Sequence, residues 1–252
     1  MPASAKDKAP SVIGAAPEGA IDERSAARAV QQMFDEISPR YDLLNHVLSM
    51  NIDRLWWWRT ARRFHSGLQR PGARALDLCC GTGDMATALR RQGPAAQIIG
   101  ADFSRGMLTR GMPKFRSHAI APVEADALQL PFPDESFDLV VSAFGFRNLA
   151  NYEAGLREIL RVLRPGGELG ILDFSEPGGW LGKLYGIYFR NILPKIGTLI
   201  SGVSGPYSYL PKSVSRFPST HEMRDRMRQA GYREASWQPY TFGIAGLYRG
   251  KK

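Results

Sequence analysis

Along residues 21–69 apolar side chains recur at helical spacing. Val30, Phe34 and Ile37 fall at i, i+4 and i+7, and Arg54 to Phe64 carries Leu55, Trp56 and Trp58 with no breaker. Ser38-Pro39 interrupts the first of these helices, since proline lacks the amide that the ladder needs and restricts the residue before it. From Gly72 the pattern changes to short apolar runs alternating with helical segments, which predicts a parallel α/β sheet. Strands are predicted near Ala73 to Leu78, Gln97 to Asp102, Ile120 to Glu124, Phe137 to Ala143 and Glu168 to Phe174. Helices are predicted near Asp84 to Gln92, Arg105 to Arg110 and Tyr152 to Leu163. Arg164-Pro165-Gly166-Gly167 stops the last of these and permits a tight turn. A further helix over Thr220 to Ala230 and two late strands, Ala235 to Tyr240 and Thr241 to Tyr248, bring the sheet to seven strands.

This pattern divides the chain into a disordered tail (residues 1–20, rich in Ala, Pro, Ser and Lys), an N-terminal helical cover (21–72) and a Rossmann-like domain (73–252). Within that domain, about 178–217 is aromatic, glycine-rich and only loosely periodic. It reads as a lid over the strand ends, with a plain packing extension as the alternative.

Composition narrows the classes. The chain has 252 residues, 44% of them hydrophobic, and no apolar run approaches the ~18 residues that cross a bilayer. Cys79 and Cys80 are adjacent and suit neither a disulfide framework nor a zinc site, and His46, His65, His118 and His221 are scattered. The expectation is a cytoplasmic, metal-free protein. The net charge of +9 is spread along the chain without a nucleic-acid motif. It leaves open a solvated basic surface, attraction to anionic lipid at the inner face of a membrane, or nucleic acid.

Leu76-Asp77-Leu78-Cys79-Cys80-Gly81-Thr82-Gly83-Asp84-Met85-Ala86 joins an apolar strand to a glycine turn that opens a helix, in the pattern G-x-G-x-x-A. Asp102 ends the next apolar run roughly twenty residues on, the spacing at which an acid reaches a nucleotide ribose. A dinucleotide would need its diphosphate neutralised here, yet the chain supplies acids: Asp77, Asp84, Asp102 and Asp126. Carboxylates repel a diphosphate and suit a ligand with hydroxyls, an amino group and a sulfonium, which is S-adenosylmethionine. Alternatives remain for each: Asp84 as a first-turn acid favoured by the helix dipole, Asp102 as a turn former, Asp126 as a loop acid.

Four motifs follow in order: Leu76 to Asp84, then Leu130-Pro131-Phe132-Pro133-Asp134, Phe144-Gly145-Phe146-Arg147-Asn148, and Arg161-Val162-Leu163-Arg164-Pro165-Gly166-Gly167. Together with Phe34-Asp35-x-Ile37-Ser38-x-Arg40-Tyr41-Asp42-x-x-Asn45 upstream, they resemble the class I methyltransferases that methylate quinone rings. These are the demethylmenaquinone and polyprenyl-benzoquinol C-methyltransferases of the UbiE/MenG/COQ5 group. The resemblance implies a Rossmann-like, seven-stranded, mostly parallel sheet and S-adenosylmethionine as cofactor, held by Thr82, Asp102, Asp126 and Ala127 with the Gly81 and Gly83 backbone beneath it. Ala143 departs from relatives that carry serine there, and Cys79 replaces the first glycine of the broader pattern.

The reaction implied is displacement at the methyl carbon by an electron-rich ring carbon of a prenylated quinol, for which alignment and water exclusion matter most. Arg147 would stabilise a phenolate. Its alternative is a surface arginine capping a loop. Tyr41, Asp42 and Asn45 would orient ring hydroxyls or relay a proton, with packing or capping as the alternative. Partners expected are the quinol, the membrane surface by peripheral contact and a homodimer, and no nucleic acid. The rival functions are O- or N-methylation of another small molecule on the same fold, and a non-catalytic scaffold or RNA binder.

Overall fold

The computed structural model describes residues 14–17, 19–38, 49, 51–175, 177 and 205–252. Helix α1 (Glu23–Ile37) opens with a capping box between Asp22 and Ser25 and ends at Ser38, as the Ser-Pro step requires. Next come α2 (Ile52–Arg63) and the single turn α3 (His65–Leu68). The sheet region runs β1 (Arg74–Leu78), α4 (Asp84–Gln92), β2 (Gln97–Asp102), α5 (Arg105–Ser117), β3 (Ala121–Glu124), β4 (Phe137–Ala143), α6 (Tyr152–Val162) and β5 (Leu163–Phe174). It closes with α7 (Gly205–Arg216), α8 (Thr220–Gln229), β6 (Arg233–Tyr240) and β7 (Ala245–Lys251).

Seven strands pair in the order β3-β2-β1-β4-β5-β7-β6. The first five are mutually parallel, whereas β7 runs antiparallel to both β5 and β6. Alternation along each strand builds two cores. Ala75, Leu139, Val141 and Leu172 face one side, with Trp56 and Phe64 of the α2 region; Leu76, Val140, Leu169 and Ile171 face the other, with Leu156 and Ile159 of α6. Because the order reverses between β1 and β4, a crevice opens at their carboxyl ends.

Several elements differ from the sequence expectation for local reasons. Helix α5 continues to Ser117 through Pro113, although a mid-helix proline costs about 3 kcal/mol, because Phe115 beyond it is fully buried. Strand β5 begins at Leu163: Phe137 pairs with Leu163 and Leu139 with Glu168, so Arg164 to Gly167 bulge within the strand, with Gly166 at φ +79°. Thr241–Gly243 form a turn, since all three have positive φ, and β7 starts only at Ala245. Gly14 and Ala15, assigned above to a disordered tail, donate their amides to the carbonyls of Ala150 and Leu149 at 3.0 and 2.8 Å; a Cβ on Gly14 would fall 2.0 Å from the Leu149 carbonyl oxygen. Of the expected lid, 178–204 lies outside the described residues. Among the described residues no helix is long and apolar enough to cross a membrane.

Candidate functional site

The crevice holds a cleft of about 720 Å³, its open mouth included, floored by Leu78, Cys79 and Gly81 after β1 and by Phe144 after β4. Asp102, at the end of β2, lines its wall. Its Oδ2 accepts the Gly81 amide at 2.8 Å and its Oδ1 the Ser104 amide at 2.9 Å, leaving lone pairs on both oxygens for a ligand. Burial pushes this carboxyl up to about 6, against the pull of those amides. Asp126 turns the loop after β3, its Oδ1 accepting the Leu128 amide at 2.9 Å, and Ala127 lies beside it in the wall.

Helix α1 forms the roof, with Ala27 and Phe34 over the cleft. It is tied to the β2–α5 loop by Gln31 Nε2 donating to the Phe103 carbonyl at 2.7 Å. Asp35 adds a second tie, Oδ1 accepting from Ser104 Oγ and from the Gly106 amide. At Gly145 the chain passes so near Cys79 that a Cβ would lie 2.3 Å from the Cys79 Cβ, so a glycine is required where the β1 and β4 loops meet.

Four of the six expected cofactor residues, Gly81, Asp102, Asp126 and Ala127, thus converge. Thr82 and Gly83 do not line the cleft, because the turn carries them beneath it. Thr82 is 2% exposed with Lys114 Nζ donating to its Oγ1 at 3.2 Å, and a Cβ on Gly83 (φ +93°) would sit 2.4 Å from the Phe115 ring. The acidic surplus also divides. Asp84 pairs with Lys114 at 2.8 Å, and Asp77 is fully buried, accepting the Ala86 amide at the start of α4. Burial pushes the Asp77 carboxyl well above the usual range. Asp102 and Asp126 are the two left facing the ligand space.

Arg147 is neither in the cleft wall nor on the surface. It is 7% exposed, its Nη1 meeting Asp173 Oδ1 at 2.8 Å and also donating to the Phe144 carbonyl, while its amide donates to Asp173 Oδ2 at 3.2 Å. The guanidinium lines an adjoining hollow with Tyr209, Lys212 and Arg216. Its Nε and the Asn148 Nδ2 are buried donors without a hydrogen-bond partner among the described residues. Asn148 does line the cleft, and its Oδ1 accepts from the Tyr209 hydroxyl at 3.2 Å. Tyr41, Asp42 and Asn45 lie outside the described residues.

Sequence reasoning passed over Phe103 and Met107 in the wall and used Asn148 only as part of a motif. The signal for Phe103 was its place directly after Asp102 at a strand's carboxyl end. Chemically the cleft offers hydroxyl and amino acceptors at Asp102 and Asp126, apolar walls and an amide donor at Asn148. Those groups suit an aminonucleoside with a cationic tail.

The model of the ubiE/COQ5 methyltransferase family matches residues 21–252. A protein of Deinococcus radiodurans named demethylmenaquinone methyltransferase is 45% identical over 234 residues, 92% of this chain and 95% of that one. A Geobacter sulfurreducens protein named ubiquinone/menaquinone biosynthesis C-methyltransferase UbiE is 43% identical over 233 residues, 88% of each chain. Among solved structures, the [4+2]-cyclase SpnF superposes with a TM-score of 0.66 at 19% identity, covering 95% of this chain and 98% of that one. A Thermotoga maritima S-adenosylmethionine-dependent methyltransferase, titled a possible histamine N-methyltransferase, does so at 0.63 and 22%, covering 88% and 99%. The two structural likenesses speak to the fold, a class I Rossmann-like methyltransferase sheet.

Proposed function

The chain belongs to the ubiE/COQ5 methyltransferase family, and from that premise we propose that it C-methylates a prenylated hydroquinone ring with S-adenosylmethionine, in menaquinone or ubiquinone biosynthesis. The observation that carries the reading is the Asp102 carboxylate, fixed by two backbone amides in the wall of the cleft with acceptor capacity left over. The bound cofactor supplies a sulfonium whose methyl carbon is open to displacement.

The chain's residues do the rest. Asp102 accepts the ribose hydroxyls, Asp126 accepts the adenine amino group, and the amide-lined Gly81 turn lets the backbone approach the ligand closely. Phe34 on the α1 roof and Phe144 on the floor exclude water from the reacting atoms. The Asn148 Nδ2, which has no hydrogen-bond partner among the described residues, donates to a ring oxygen, and the Arg147 guanidinium behind the same turn supports the phenolate through the local field. Tyr41 and Asn45, with Asp42, orient the ring hydroxyls. A prenylated ring is delivered from a bilayer, so the enzyme works by peripheral contact at the inner face of the membrane.

Incubation with methyl-labelled S-adenosylmethionine and a short-tailed demethylmenaquinol tests the reading. Label in a methyl group bonded to a ring carbon of the product is expected; label in a methyl group on oxygen, or none, overturns it. The quinones of a strain lacking the protein then tell the naphthoquinol substrate from the benzoquinol.

A further inference from the structure

Helix α2 buries one side and leaves two large apolar side chains on the other. Trp56, Thr60 and Ala61 turn inward, while Leu55 and Trp58, one turn apart, are 51% and 45% exposed. Four arginines share the helix, and its acid, Asp53, is 4% exposed, so the outer face carries cations without compensating carboxylates of its own. The Arg62 guanidinium lies 5.3 Å from the Trp58 ring.

The turn that joins β6 to β7 is fastened to this helix. Trp56 Nε1 donates to Thr241 Oγ1 at 2.8 Å, and the Arg59 guanidinium lies 4.3 Å from the Tyr240 ring centre. That turn displays Phe242 at 82% exposure with φ +57°, a backbone region that bulky side chains rarely adopt. An aromatic side chain held outward in an unfavourable backbone conformation gains nothing from the fold's own core.

The position of the patch is the third observation. Ala245 pairs with Phe174, so the turn lies at the carboxyl end of β5, the edge of the sheet at which the cleft opens. The Trp56 ring is 5.8 Å from Phe144 of the cleft floor. Apolar anchors, arginines and the cleft therefore share one edge of the molecule.

We propose that the outer face of α2 and the Phe242 turn form one docking surface for an anionic lipid bilayer, with Leu55, Trp58 and Phe242 set among the headgroups and Arg54, Arg62 and Arg63 at their phosphates. Aromatic and aliphatic anchors beside basic side chains are what an interfacial helix uses, and each basic residue adds attraction to an anionic surface. Docked this way, the protein turns its cleft edge towards the bilayer, and a prenyl tail enters without crossing water. This rests on the quinol reading above, which the test separates from it.

Flotation with phosphatidylcholine vesicles, with and without phosphatidylglycerol, is the measurement. Wild-type protein is expected to float with the anionic vesicles. Leu55→Gln with Phe242→Asn is expected to weaken that binding by roughly tenfold or more; asparagine tolerates the left-handed backbone, so the turn survives. Arg54→Glu with Arg63→Glu is expected to weaken binding to anionic vesicles alone. Unchanged melting temperature and unchanged methylation of a short-tailed soluble quinol certify that both variants are folded. Wild-type protein that stays with the bulk solution, or variants that float as wild type does, overturns the docking face even if the methylation stands. Vesicle binding lost in the variants while wild type methylates no quinol upholds the face and overturns the function instead. Binding to polyuridylate in place of vesicles, steeply salt-dependent and indifferent to Phe242→Asn, overturns the lipid assignment in favour of RNA.

Discussion

Asp102 and Arg147 carry the chemistry that one residue can decide. Asp102 in the free protein titrates at about 6 because burial outweighs the two amides that hold it. Hydroxyl donors on a ligand favour the ionised form, so binding requires that any proton there be lost. Affinity should be level above this value and fall about tenfold for each pH unit well below it. Calorimetric titration with S-adenosylhomocysteine from neutral pH down to mildly acidic pH measures this, and an unchanged Kd would exclude Asp102 as the ribose acceptor. Arg147 raises a different issue, since its guanidinium neutralises the fully buried Asp173. Arg147→Ala should destabilise the protein by about 3–5 kcal/mol, the usual loss when a buried ion pair keeps one partner. Thermal unfolding of Arg147→Ala against Arg147→Ala/Asp173→Ala checks it: the second change should restore part of the loss. Loss of turnover in Arg147→Ala alone would therefore mix folding with catalysis. The Asp102 position was legible from its spacing after the glycine turn. The partner of Arg147 was not, because Asp173 is twenty-six residues away and meets it only through the pairing of β4 with β5.

Elements with uninterrupted apolar runs and marked ends were readable. Strands β2 and β4 and helix α4 keep the boundaries that their sequences suggest, since Gly83 and Gly93 bracket the helix and the extra residues where β4 meets β5 all fall on the β5 side. Helix α5 and strand β5 run on where Pro113 and the Arg164–Gly167 stretch suggest breaks, as tertiary burial of Phe115 and the β4 pairing outweigh local preference. Helix α1 was readable as part of an N-terminal helical cover, but the ties that hold it over the cleft were not, because Gln31 and Asp35 reach residues of the β2–α5 loop and the first turn of α5 some seventy positions away. Asp35 accepts there from Ser104 Oγ and the Gly106 amide, and Gly106 is suited to the approach: a Cβ would lie 2.9 Å from the Asp35 carboxylate. Removing that attachment should loosen α1 over the cleft while the sheet stays intact. Asp35→Ala is expected to weaken S-adenosylhomocysteine binding by about fivefold to tenfold, the scale of one or two lost hydrogen bonds. The far-ultraviolet circular dichroism should be unchanged. Equal affinity in wild type and variant would mean that the roof contributes nothing to holding the ligand.

At the scale of the molecule, the cleft draws on residues from Ala27 in α1 to Ala150 before α6, so a ligand there links the N-terminal helix to the loops after four strands. The run Trp56-Trp57-Trp58 illustrates why such an arrangement escapes the sequence. Consecutive residues on a helix point in different directions, and the fold buries Trp56 against Phe144 and Phe174 while it leaves Trp58 outside. The net charge of +9 was similarly silent about place until α2 gathered four arginines on one element. A ligand that joins parts so far apart in sequence stabilises the folded chain as a whole, because local opening of either the roof or the strand ends would release it. S-adenosylhomocysteine at a hundredfold excess over its Kd should add about 2.7 kcal/mol to the unfolding free energy. For a domain of this size that corresponds to a rise in Tm of roughly 5–10 °C. Differential scanning fluorimetry gives the shift, and limited proteolysis gives its distribution: cleavage in α1 should slow together with cleavage in the strand loops. Protection confined to the loops after β1 and β2 would show that α1 stands apart from the bound ligand, and the roof would then have to be assigned to substrate alone.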